Sequence, residues 1–197
     1  VLHEACRQAA VWHTRFGLHL TVSVNVSAHQ LRAPRTLVED VLAALRRTGL
    51  PASALELELT ESLMISAAGE ALAALHELRS LGVSIALDDF GTGYSSLGYL
   101  RRLPVDCLKI DQSFVSDLSA DEGAERVLQA ILGIANALQL RAVAEGIETP
   151  AQLEILCRHG CLEGQGFLLA RPLDANALEA LLAESVAIDA TRSSDAA

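Results

Sequence analysis

Six short apolar segments recur along the chain, each followed by a helical stretch, and this alternation restricts the available folds more than any other feature. The segments are LTVSVNV (20–26), ALELELT (54–60), VSIALDD (83–89), VDCLKID (105–111), LRAVAEG (140–146) and GQGFLLA (164–170). Helical stretches read near 34–48, 66–81, 94–102, 121–138, 149–159 and 174–184. Val38, Val41, Leu42 and Leu45 form one apolar stripe at i, i+3, i+4 and i+7, and Leu128, Ile131, Ile134 and Leu138 form another. Pro51, Pro104, Pro150 and Pro172 mark boundaries between elements. Strands alternating with helices imply a parallel sheet covered by helices. The reading gives one α/β domain over residues 1–184, followed by a small, polar, disordered tail at 185–197.

Two architectures fit such alternation. A doubly wound sheet calls for a Gly-rich phosphate turn after its first strand, and VNVSAHQL has none. A closed barrel calls for functional groups at the C-terminal ends of many strands. That pattern is present: Asn25 closes the first segment, Glu58 and Glu61 the second, Asp88 and Asp89 the third, Lys109 and Asp111 the fourth, Glu145 and Glu148 the fifth, while Gln165 opens the sixth. A barrel of this type has eight strands, so the reading expects the first two to be missing. The start VLHEACRQAAVWHTRFGL agrees, because it has helical periodicity and a C-terminal Gly17 but no capping residue before it.

Composition narrows the function. Apolar residues make up 51% of the 197 and aromatic residues only 4%, so Leu, Val, Ile and Ala must fill the core. A net charge of −10 argues against DNA or RNA as partner, since such binders carry a basic face. It leaves open a small phosphate ligand held through metal ions. Cys6, Cys107, Cys157 and Cys161 lack zinc-finger spacing and read as reduced thiols. No apolar run approaches the ~18 residues of a membrane span, and no signal peptide is read. The expectation is a cytoplasmic domain without direct membrane insertion, whose parent is tethered to a membrane, if at all, through upstream segments.

Taken singly, each rim motif has an ordinary explanation. DD after a strand is usually a solvated loop, acids favour a helix start, and GTGYSSL can be a glycine turn with a serine cap. Their occurrence at five successive strand ends is harder to explain that way. A rim carrying Glu58, Asp88, Asp89 and Glu145 is too negative to stand alone. Hard divalent cations would neutralise it, with Asn25 offering a further oxygen. Two such ions suit in-line displacement at phosphorus, and Lys109 adds a cation for a water or a phosphoryl oxygen. No histidine stands at a strand end, which disfavours a His-ligated zinc enzyme.

The motifs SVNVSAHQL, LELTES, LDDFGTGYSSLGYLRRLPVDCLKID, AVAEGIET and QGFLLARPL, in this order and spacing, resemble the EAL domain family of bacterial cyclic di-GMP phosphodiesterases. The resemblance spans residue 1 to about 184. It implies a TIM-like (β/α)8 barrel with one antiparallel strand, here lacking its first two strands. It also implies two ions of Mg2+ or Mn2+ bound by Asn25, Glu58, Asp88 and Asp89, with Glu145 at the metal and water site. Lys109 matches the lysine beside the attacking water. Glu61 matches the glutamate that tethers the loop after the double aspartate. That loop, Phe90 to Ser96, resembles the family's switch loop, which couples dimer contacts to metal binding and makes a homodimer the expected state. Glu148 and Gln165 match positions near the guanine and metal site, and Asp111 is grouped with them as substrate-binding.

Two departures stand out. The family's Glu-Ala-Leu glutamate, a metal ligand, and the arginine shortly after it do not occur here. FLLARP carries Leu169 and Ala170 where the family commonly has an aromatic–serine pair. The expected parent hydrolyses cyclic di-GMP to the linear dinucleotide and carries upstream sensor or cyclase domains. The rival expectation is a catalytically inactive module that binds the dinucleotide or regulates a partner, because the absent glutamate leaves the activity of this particular chain open.

Overall fold

The computed structural model describes residues 1–18, 20–67, 69–91, 97–118 and 121–194, with backbone alone at 97, 122 and 185–194. Helix α1 (Leu2–Phe16) precedes strand β1 (Val22–Asn25). Helices α2 (Ala28–Leu31) and α3 (Pro34–Thr48) lead to β2 (Leu55–Thr60). Then α4 (Glu61–Ser66) and α5 (Glu70–Ser80) lead to β3 (Ser84–Phe90), and α6 (Leu97–Leu100) to β4 (Cys107–Ile110). Helices α7 (Gln112–Ser116) and α8 (Glu122–Ala137) lead to β5 (Arg141–Ala144), and α9 (Pro150–Arg158) to β6 (Glu163–Gly164). Helix α10 (Ala175–Ser194) ends the described chain.

The six strands form one sheet in chain order, every neighbouring pair parallel. The sheet curls. Arg141 on β5 is ion-paired with Glu56 on β2, although three strand spacings separate them, about 14 Å in a flat sheet. The helices wrap the convex side, so that α1 meets α10, where Arg15 pairs with Glu179. The architecture is thus α/β, with a parallel sheet bent into part of a barrel.

LELELT shows how the sequence builds this. Leu55, Leu57 and Leu59 are all at most 1% exposed and belong to the core cluster, while Glu56 and Glu58 alternate with them onto the concave face. Each buried leucine contributes about 1.5–3 kcal/mol through the area it removes from water. The same core takes Val38, Val41 and Leu45 from α3 and Leu128 and Ile131 from α8. Proline at the start of α3 and Gly49 in the left-handed conformation at its end fix both boundaries.

Three sequence expectations shift. The stretch 66–81 is interrupted: α4 ends at Ser66 and α5 starts only at Glu70, after Gly69 at φ 53°. The sixth strand, expected over 164–170, is Glu163–Gly164. Its ladder ends because Gln165 and Ile147 bridge strand to loop by backbone hydrogen bonds, and Gly166 passes against the Ile147 backbone with no room for a side chain. Gln165 therefore follows its strand, at the same sheet end as the other polar groups, rather than opening it. Helix α10 continues past residue 184 to Ser194, as its alanine-rich composition allows; 195–197 lie outside the described residues. Of the expected helix 94–102, residues 94–96 likewise lie outside them, and α6 covers 97–100.

Candidate active site

A strand cannot ordinarily point two consecutive side chains the same way. On β3, Asp88 follows Ser84 and Ala86 on the concave face, so a regular Asp89 would turn outward. The β3–β4 register slips between Leu87 and Phe90, and Asp89 adopts a positive φ of 56°. Aspartate tolerates that conformation better than most residues, and the bulge re-aims its carboxylate. Carboxylate oxygens of Asp88, Asp89 and Glu145 consequently lie within 4.8 Å of one another.

Lys109, on the inner face of β4, reaches across this group. Its Nζ lies 2.7 Å from Glu145 Oε1, 2.9 Å from Glu58 Oε1 and 3.0 Å from Asp88 Oδ1. Burial pulls its pKa down, but the Glu145, Glu58 and Asp88 carboxylates outweigh burial, leaving the ammonium well above its ordinary range. Asp88 Oδ1 is buried and accepts no hydrogen bond, so Lys109 meets it as a charge rather than as a directed donor. The acids respond oppositely. Burial first, then the charges of Asp88 and Asp111, push Asp89 up despite Lys109. Burial likewise raises Glu145 against the pull of Lys109. Four carboxylates thus share one ammonium. A crowded, all-oxygen donor set with an unsatisfied buried oxygen fits a hard divalent cation.

The remaining expected residues fall around this centre. Asn25 ends β1 in register with Glu58, exposed at the sheet edge. Glu58 joins the carboxylate group through Lys109 rather than by standing within the close triple. Glu61 is 2% exposed, and its Oε2 accepts a hydrogen bond from the Gly91 backbone N–H at 3.1 Å, which pins the start of the segment after Asp89. Residues 92–96 of the expected switch loop lie outside the described residues. Gln165 Nε2 donates to Glu145 Oε1 at 2.8 Å. Asp111 caps α7 by accepting from Ser113 N–H at 3.0 Å, and the Glu148 backbone N–H donates to Gln152 Oε1 at 2.8 Å. Asp89, Asp111, Glu145, Glu148 and Gln165 line one cavity of about 510 Å3. Gly146, at φ 68°, lets the chain pass Gln112 on that wall, where a Cβ would stand 2.5 Å from the Gln112 Cβ.

Two features escaped the sequence reading. Phe167 and Arg171 line the same cavity, the guanidinium 4.7 Å above the ring centre. Treating 164–170 as a strand hid them, because strand alternation gives no reason to pair residues four apart; the glycines flanking Gln165 were the available signal. Deeper in the curl lies a second ion cluster. Glu56 accepts from Ser23 Oγ at 3.1 Å and Ser84 Oγ at 2.9 Å and pairs with Arg141, which also bonds Glu163 at 2.8 Å. The regular Leu-Glu alternation of LELELT already placed Glu56 on the face of Glu58.

Known proteins share this fold. The family model described as "EAL domain" matches residues 1–172. The cyclic di-GMP phosphodiesterase NbdA of Pseudomonas aeruginosa is 46% identical over 182 residues, covering 92% of this chain and 23% of NbdA. The bifunctional diguanylate cyclase/cyclic di-GMP phosphodiesterase MucR of the same organism is 46% identical over 183 residues, 93% of this chain and 27% of MucR. The chain therefore spans about a quarter of the length of these relatives. Among solved structures, the PaMucR phosphodiesterase in complex with c-di-GMP superposes with a TM-score of 0.83 at 47% identity, over 90% of this chain and 71% of that one. The EAL domain of Mycobacterium smegmatis DcpA gives 0.86 at 39% identity, over 93% and 82%. With the sequence pattern and the curled sheet matched over nearly the same residues, the chain belongs to the EAL domain family.

Proposed function

We propose that this chain is the hydrolytic domain of a cyclic di-GMP phosphodiesterase. Water would add to one phosphorus while the bond to the 3′-oxygen breaks, and the departing oxygen takes up a proton to give the linear dinucleotide. One observation carries the reading: Asp88, Asp89 and Glu145 converge within 4.8 Å beside Lys109, and Asp89 and Glu145 line a cavity. The ligand class follows from the names of NbdA and MucR.

Asp88, Asp89, Glu58, Glu145 and Asn25 would hold two Mg2+ or Mn2+ ions. When bound, these ions supply Lewis acidity at the phosphoryl oxygen and a water of lowered pKa. Lys109 has the chemistry of a fixed positive charge. Its raised pKa makes it a poor proton acceptor at neutral pH, so its part is to hold the water or a phosphoryl oxygen. Glu145, raised by burial and held by Gln165, is suited to take a proton. Glu61 is a positioning residue, acting through Gly91 on the segment after Asp89. Asp111, Glu148 and Gln165 line the substrate's cavity. Homodimerisation through the segment after Asp89, and fusion to upstream sensor or cyclase domains, complete the reading; the greater length of the relatives supports the fusion. No helix among the described residues is long and apolar enough to cross a membrane, so any tethering belongs to other segments.

The test is incubation of this chain with cyclic di-GMP in Mn2+, followed by chromatography. The linear dinucleotide is the expected product. Tight binding without product favours the receptor reading, and neither binding nor product overturns both.

A further inference from the structure

We propose that Arg171, stacked on Phe167, selects guanine over adenine in the bound dinucleotide; this rests on the cyclic di-GMP reading above. Among the described residues, Arg171 is the one basic residue lining a cavity that also carries Asp89, Asp111, Glu145 and Glu148. Its guanidinium makes no ion pair or hydrogen bond among the described residues, and its one recorded contact is with the Phe167 ring at 4.7 Å. A guanidinium placed over an aromatic face keeps N–H donors available at its edge.

A forked pair of donors matches two acceptors side by side. Guanine offers such a pair at O6 and N7, whereas adenine replaces O6 with an amino donor. The same cavity carries the complement, since the Asp111 and Glu148 carboxylates that line it accept hydrogen bonds, as the donor edge of guanine (N1–H and N2–H2) requires. Asp89 and Glu145 line the same cavity as Phe167 and Arg171, so a phosphodiester held by those carboxylates has its base within a cavity that Phe167 and Arg171 also line. Both residues are exposed, so replacing them does not disturb the core.

Calorimetric titrations with cyclic di-GMP and cyclic di-AMP, in Ca2+ to limit turnover, test this on wild type, Arg171→Ala, Arg171→Lys and Phe167→Leu. Wild type is expected to prefer the guanine ligand. Arg171→Ala should weaken cyclic di-GMP binding about tenfold, the value of one good bidentate contact, and leave cyclic di-AMP binding unchanged. Arg171→Lys keeps the charge but should not restore the preference, and Phe167→Leu should cost less than Arg171→Ala. Equal loss for both ligands would make Arg171 a phosphate contact and overturn the proposal, as would no change for either. Failure of wild type to bind cyclic di-GMP at all would instead defeat the phosphodiesterase reading, and this inference with it.

Discussion

The concave face of the sheet carries two ion clusters of different design. At the N-terminal ends of the strands, Arg141 lies between Glu56 and Glu163, and two serine hydroxyls take up the other Glu56 contacts. At the C-terminal ends, Lys109 faces Glu58, Asp88 and Glu145, with Asp89 pressed against the last two. The lower cluster uses a planar fork that satisfies several oxygens by directed hydrogen bonds. The upper one uses a point charge outnumbered by four carboxylates, and leaves Asp88 Oδ1 without a hydrogen bond. The same fold thus holds charge in two ways: complete at one end, and incomplete where a cation and a substrate would finish it.

Substitutions should separate the two. Asp88→Asn has the largest expected effect. Hydrolysis in Mn2+ falls by at least about 100-fold, since even outer-shell changes at metal sites cost 10–100-fold. Thermal stability in EDTA holds or rises, because one of several like charges is gone; a collapse of the metal-free melt would make Asp88 structural and erase the contrast.

Next comes Lys109→Met. In EDTA it leaves the buried carboxylates without their counter-ion, an expected loss of about 3 kcal/mol by urea unfolding. Mn2+ should recover part of that loss, and an identical loss with and without metal would argue that no ion shares the site. For wild type, Mn2+ at a hundredfold excess over its Kd should add about 2.7 kcal/mol, a gain that Asp88→Asn abolishes and Arg141→Met keeps.

Arg141→Met tests the lower cluster. Glu56 loses its cation while 5% exposed, but the guanidinium is about half exposed and solvent screens the pair, so the expected loss is about 2 kcal/mol. It should be the same in Mn2+ and EDTA, and turnover per folded molecule should be unchanged. The smallest effect is chemical. The Cys107 thiol, beside this lower cluster, is pushed up to about 12, mainly by burial, whereas Cys157 is exposed. Alkylation at pH 8 should label Cys157 within minutes and Cys107 only on unfolding. Prompt labelling of Cys107, followed by mass spectrometry, would show the lower end to be open to solvent.

Much of this was legible beforehand. The stripes on α3 and α8, the Gly17 end of α1 and the parallel order of strands all follow from spacing that a reader can count. The polar strand ends pointed to one rim because parallel strands share a direction. The sixth strand was misjudged because GQGFLLA is apolar enough for a strand, while the close approach of Gly166 to Ile147 that ends it is a contact between distant segments. The Phe167–Arg171 stack was hidden by the same mistake.

Sequence by itself determined the alternating elements, their order and the residue types at each strand end, because periodicity and turn chemistry are local. It also determined the excess of acid over base at the rim. Tertiary structure alone decided which of those acids meet. The bulge that turns Asp89 beside Asp88, the curl that lets Lys109 reach Glu58 and Glu145, and the pairing of Arg141 with Glu56 three strands away all depend on the curvature of the whole sheet. Curvature arises from the summed twist of six strands and the packing of the helices around them, and no short stretch of residues encodes it.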